Sequence, residues 1–141
     1  MAQWIIYALL SSLFAALTAI FAKKGLATID SGLATAIRTG IVLIVTWLLV
    51  FYRGKANETA LLSKSNWIYL TLSALATGAS WLFYNRALQL GEVSGVAAID
   101  KGSIVFTILL SFIFLGEPLS PKILVGGGLV FAGMLVMVFW K

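Results

Sequence analysis

Five apolar stretches, each close to the length that crosses a bilayer, fill almost the whole of this 141-residue sequence and leave it few alternatives. They run over 3–22, 31–52, 67–88, 93–115 and 121–140. About 20 helical residues at 1.5 Å each cover the ~30 Å hydrocarbon core. The connections, 23–30, 53–66, 89–92 and 116–120, are too short to hold a soluble domain. A chain in lipid must satisfy its backbone groups internally, and stretches rich in Leu, Ala and Ile do so as helices rather than barrel strands. The expected fold class is all-α, a membrane protein with five transmembrane helices forming a single domain over residues 1–141.

The composition agrees, with 61% apolar and 11% charged residues. Histidine and cysteine are absent, which removes disulfides, thiol nucleophiles, histidine relays and Cys/His metal sites. No nucleophile–base pair can be assembled either, so an enzyme is not expected, and neither is a cofactor or a metal. The net charge of +5 does not point to nucleic acid, because the ten Lys and Arg residues are scattered between apolar stretches as membrane-flanking charges.

The first stretch has no basic residue ahead of it and is followed by Lys23 and Lys24 rather than a small-residue cleavage site, so it reads as a retained helix and not a signal peptide. Cap residues support the boundaries: Asp30 or Ser31 before the second helix, Ser65 or Asn66 before the third, and Ser120 with Pro121 at the fifth. Trp4, Tyr7, Tyr52, Trp67 and Tyr69 fall toward one membrane face and Trp81, Tyr84 and Trp140 toward the other, as interfacial aromatic belts do.

Loop charges do not choose an orientation. With five crossings, the face carrying the N-terminus holds Arg53, Lys55, Lys64 and Lys122, and the opposite face holds Lys23, Lys24, Arg86 and Lys141, four basic residues against four, or four against three with Arg86 counted inside the membrane. The positive-inside rule needs an asymmetry. Two readings stand: one pair of charges fixes a single topology, or the chain inserts both ways and pairs with an inverted copy of itself.

Three ionisable residues fall well inside the stretches: Arg38 in the second, and Asp100 and Lys101 in the fourth. An unpaired charge near a helix centre costs roughly 2.5–3.5 kcal/mol on insertion scales, so each needs a partner or water. Arg38 and Asp100 each lie seven residues past their stretch's start at Ser31 or Val93, about 10 Å deep. Equal depth permits an ion pair with Lys101 left over. Such a pair either fixes the packing of the second and fourth helices or lines a translocation path. Asp100 is the acidic residue placed deep in a helix and the candidate for carrying a coupling proton.

Asp100, Ser103, Thr107 and Ser111 recur at helical spacing on one face of the fourth helix, as cavity lining or as hydroxyls bonded back to their own helix. In the third helix, Ser73, Thr77, Ser80 and Asn85 accompany Trp81 and Tyr84, which either wall a pocket or anchor the interface. Small residues, Ala8, Ser12, Ala15, Ala19 and Ala22 in the first helix and Gly126, Gly127, Gly128, Ala132 and Gly133 in the fifth, suit close helix packing.

From Trp81 to Met137 the sequence resembles the EamA-type half repeat of the drug/metabolite transporter superfamily, through Arg86-Ala87-Leu88, Gly91-Glu92-Val93-Ser94, Val105-Phe106-Thr107 and Phe114-Leu115-Gly116-Glu117. Phe21-Ala22-Lys23-Lys24-Gly25, Leu33-Ala34-Thr35-Ala36-Ile37-Arg38-Thr39 and Ile99-Asp100-Lys101 are similar to the five-helix bacterial and archaeal transporter branch. Most relatives have ten helices in two inverted repeats, with alternating access around a midplane site. The resemblance therefore implies one repeat acting as an antiparallel homodimer in a prokaryotic inner membrane, with two copies of the Arg38/Asp100 layer about 5 Å either side of the midplane. Ala98 stands where many relatives have proline and Gly102 where a larger apolar residue is usual, so Gly95 and Gly102 are expected to supply flexibility. Small multidrug resistance transporters use a glutamate in the first helix, which is absent here, and their mechanism does not carry over.

The reading that follows is a secondary transporter for a small metabolite or amphipathic compound. Arg38, Asp100, Lys101, Ser103, Thr107, Trp81 and Tyr84 are its candidate substrate-binding residues. Arg38, Asp100 and Lys101 sum to two positive and one negative charge, which mildly favours an anionic or zwitterionic substrate. The alternatives are a non-transporting accessory subunit and a lipid-intermediate flippase.

Overall fold

The computed structural model describes residues 2–140. Lys141, counted above among the charges of one face, lies outside the described residues. The order is α1 (Gln3–Gly25), α2 (Ser31–Tyr52), a 3-10 segment (Ala56–Leu61), α3 (Lys64–Leu90), α4 (Val93–Lys101), α5 (Ser103–Leu110), a π-helical turn (Ser111–Leu115) and α6 (Pro121–Phe139). The fold is all-helical, with no strand among the described residues.

Among the described residues, four segments are long and apolar enough to cross a membrane: Gln3–Gly25, Ser31–Tyr52, Val93–Leu115 and Pro121–Phe139. The large apolar side chains along them point outward, as in Leu43, Phe106, Leu129 and Phe139, which suits a lipid solvent. The apolar core is correspondingly small, made of Ala19, Ala22, Leu26, Ala34, Leu88 and Ala98 among the described residues.

Backbone contacts divide the chain into two compact units, Phe21–Gln89 and Met1–Ile20 with Leu90–Lys141. In Phe21–Gln89, Asp30 caps α2 by accepting the Leu33 N–H at 2.9 Å, as anticipated. The same helix ends in a Schellman motif: Gly54, at φ +65°, donates to Phe51 O, and Lys55 donates to Val50 O. The expectation of Ser65 or Asn66 as the next cap is corrected. Ser63 does the capping, with its Oγ accepting the Asn66 N–H at 3.2 Å, and α3 begins three residues earlier than the hydropathy pattern suggested.

In the other unit, the fourth apolar stretch is not one regular helix. At Gly102 the N–H bonds to Ile99 O and the carbonyl accepts from Val105 N, both i to i−3, so a tight turn separates α4 from α5 without a proline. Gly102 is buried against α6, and a Cβ there would lie 2.6 Å from Met134 Sδ and 2.9 Å from Ile99 O. Its role in the structure is close approach. Gly127 is the corresponding contact on α6, where a Cβ would lie 2.7 Å from Ile108 Cδ1. Gly126, Gly128 and Gly133, assigned above to helix packing, face open space within this chain.

Candidate functional site

The densest polar arrangement lies between α2 and α3, both in Phe21–Gln89. Asn85 is fully buried, and its amide is engaged at both ends: Oδ1 accepts from Arg38 Nη1 at 2.9 Å, and Nδ2 donates to Thr35 Oγ1 at 2.7 Å. The Thr35 hydroxyl in turn donates a hydrogen bond to Ser31 O at 2.7 Å. A guanidinium has no acceptor, so Oδ1 is the end that must face Arg38. The Arg38 guanidinium carbon also sits 5.5 Å from the centroid of the Trp81 ring, in cation–π range.

Helical spacing builds this site. Thr35 and Arg38 are three apart on α2, and Trp81 and Asn85 are four apart on α3, so each pair shares a helix face. The same α3 face continues to its C-terminal end. Leu88 O accepts from Lys23 Nζ at 2.5 Å, and Gln89 Nε2 donates to Leu26 O at 3.1 Å and Ile29 O at 2.8 Å. These bonds tie the turn between α1 and α2 to the end of α3 and set the register at which Asn85 meets Arg38. The Lys23 bond also occupies a carbonyl of the last turn of α3, one of those a helix end leaves without an intrahelical partner.

Asp100 and Lys101 belong to the other unit, at the end of α4, where Lys101 Nζ lies 3.3 Å from Asp100 Oδ2. Arg38 and Asp100 thus each have a partner within their own unit. The hydroxyl stripe is satisfied locally: Thr107 Oγ1 donates to Ser103 O at 3.0 Å and Ser111 Oγ to Thr107 O at 2.6 Å. Such back-bonding lets hydroxyls sit in an apolar helix at little cost. Tyr84 is half-buried on α3, and Arg86 is exposed and bonded to Gln89 Oε1 at 3.1 Å.

The sequence model of the EamA-like transporter family matches residues 2–139. The chain belongs to the EamA-like transporter family. It is also similar to a Sinorhizobium sp. protein described as an uncharacterized transporter in the cobO 3′ region, 46% identical over 135 residues that cover 96% of each chain. No solved structure matches. Family membership makes this chain a membrane transporter, embedded in lipid and acting on a small molecule.

Within this EamA-like chain, sequence reasoning placed Arg38 and Trp81 among the site residues but not on each other, and it left out Asn85 and Thr35. A signal was present. Asn85 is a primary amide in a long helix, one turn from Trp81, and Thr35 is one turn from Arg38. Polar groups in such helices require partners, and these four supply one another's.

Proposed function

We propose that this EamA-like chain is a secondary transporter that moves a small metabolite or amphipathic compound by alternating access, as an antiparallel homodimer in a prokaryotic inner membrane. Each copy acts as one five-helix domain equivalent to a single inverted repeat, with α3 as the fifth crossing. The length of α3, 27 residues or about 40 Å, supports this reading. So does the pairing of its polar residues, since Asn85 bonds to α2 and Thr77 Oγ1 bonds back to Ser73 O at 2.9 Å. Average hydropathy counts these groups at full cost, whereas a bonded group costs far less to bury. The even split of loop charges supports dual insertion.

In this proposal Arg38, Asp100, Lys101, Ser103, Thr107, Trp81 and Tyr84 form the polar core, and Asp100 carries the coupling proton. The observation that carries the reading is a guanidinium held by a neutral amide and an aromatic face inside an apolar helix. Proteoliposome uptake tests it. Saturable flux in the wild type that falls about tenfold or more in Asp100→Asn, a rise of about 1.4 kcal/mol or more in the transport barrier, supports the proposal. A second reading, a non-transporting accessory subunit, is favoured by the full burial of Asn85, which suits a purely structural tie. It requires that neither protein show saturable flux.

A further inference from the structure

Arg38 is a cation set in an apolar helix, and its own unit offers it no anion. The acidic residues of Phe21–Gln89 are Asp30 and Glu58. Asp30 accepts the Leu33 N–H at the start of α2, and Glu58 pairs with Lys55 in the 3-10 segment. What holds Arg38 is a neutral amide oxygen and the face of an indole ring. These can aim a guanidinium but cannot neutralise it. Asn85 gives one lone pair to Arg38 and one N–H to Thr35, which fixes the orientation of its amide.

The geometry selects among countercharges. A guanidinium carries five N–H donors in a planar fork, and one is spent on Asn85. The Arg38 guanidinium carbon lies 5.5 Å from the Trp81 ring centroid, in cation–π range, and four of its donors remain beyond the one given to Asn85. The group that matches a guanidinium edge is planar, anionic and presents two acceptor oxygens at close spacing, which describes a carboxylate. An organic cation would meet a like charge in a low-dielectric setting, where repulsion is strong. Arg38 is also half-buried rather than sealed.

We infer that Arg38 is a carboxylate-binding subsite, with Asn85 and Trp81 as its positioning residues, and that the transported compound is a carboxylate-bearing metabolite. This rests on the transporter reading above. Asn85 enters as a positioning residue: its amide fixes the rotamer of the long arginine side chain, so less freedom is lost when the anion binds.

Thermal unfolding of the full chain in neutral detergent tests this with matched probes: benzoate, pyruvate and succinate as carboxylates, benzamide and succinamide as uncharged counterparts, benzyltrimethylammonium as a cation, and inorganic phosphate, all at millimolar concentration and constant ionic strength. At least one carboxylate raises the unfolding temperature of the wild type, and its amide, the cation and phosphate do not. Arg38→Lys keeps the charge but loses the fork, weakening that carboxylate about tenfold. Arg38→Gln abolishes the shift.

Asn85→Asp is the decisive variant, because it is isosteric and puts a carboxylate against Arg38. The unliganded variant exchanges the amide's donation to Thr35 for an ion pair with Arg38, and carboxylates no longer shift its unfolding temperature. The inference is overturned if no carboxylate acts on the wild type, if amides, phosphate or the cation act equally well, or if Asn85→Asp still responds. Uptake by proteoliposomes separates the two claims. Saturable uptake of the cation with no carboxylate effect keeps the transporter and removes the subsite. A carboxylate shift that depends on Arg38, without uptake of any probe or of labelled metabolite extract, keeps the subsite and removes the transporter.

Discussion

Asn85 Oδ1 accepts a hydrogen bond from Arg38 Nη1 at 2.9 Å, joining residues 47 apart in sequence through a fully buried amide. The bond places a charged donor beside a neutral acceptor on the facing surfaces of two long helices. Hydrogen bonds to charged groups are worth about 1.5–3 kcal/mol, and a buried partner left unpaired costs about as much.

Replacing Asn85 by Leu keeps the volume close but strands Arg38 and removes the donor to Thr35. The expected loss is about 2–4 kcal/mol of stability, less whatever water recovers at half-buried Arg38. Reversible unfolding in mixed detergent measures it. A loss below about 0.5 kcal/mol would mean that the bond contributes nothing net.

Gly102 predicts a coupled pair on α6. Gly102→Ala forces a Cβ to within 2.6 Å of Met134 Sδ, the end of a flexible side chain, and to 2.9 Å of the Ile99 carbonyl. Overpacking of this kind costs about 1–3 kcal/mol. Shortening the neighbour in Gly102→Ala/Met134→Ala removes the sulfur clash, so the double variant should be less destabilised than the sum of the two single changes. Additive losses would show that the Ile99 carbonyl, and not Met134, sets the limit.

The three consecutive glycines of α6 should behave differently from one another. Gly127→Ala meets Ile108 Cδ1 and is expected to destabilise the chain, while Gly126→Ala and Gly128→Ala meet nothing within 4 Å and gain about 1 kcal/mol of helix propensity in a monomer. In the proposed homodimer these open positions become available for contact with a second copy. Loss of dimer, read by crosslinking in native membranes, in Gly128→Ala but not in Gly126→Ala would place the Gly128 face at the interface.

Orientation can be read at Asn57, an exposed residue of the Ala56–Leu61 segment in a chain without native cysteine. Asn57→Cys labelled by a membrane-impermeant maleimide from both faces of the membrane supports dual insertion. Labelling from one face alone rejects it and leaves the inverted homodimer without its arrangement.

Much of the secondary structure was legible from hydropathy, since apolar length in lipid admits little besides helix. The bounds of α2 came out at Ser31–Tyr52 as expected, and the fourth stretch ends at 93 and 115 as expected. The first helix runs three residues past its expected end, to Gly25, the last stops one short, at Phe139, and the third departs at both ends. Its ends, Lys64 and Leu90, carry polar residues that a hydropathy window trims, and the cap that starts it is Ser63 rather than a residue nearer the apolar run. The break at Gly102 was foreshadowed only as flexibility, because a glycine in a helix carries no signal for the neighbour whose approach requires it.

Residue type and spacing thus determined that this chain is a series of membrane helices carrying a few costly polar groups, since burial of charge and backbone in lipid is governed by composition and length. Which groups answer one another was decided by tertiary structure. Arg38 and Asp100 each lie seven residues past the start of an apolar stretch, yet within its unit Arg38 rests on Asn85 and Trp81, because α2 and α3 turn those particular faces together at that register. Depth is a one-dimensional property written along each helix, whereas partnership also depends on rotation about the helix axis and on the neighbouring helix.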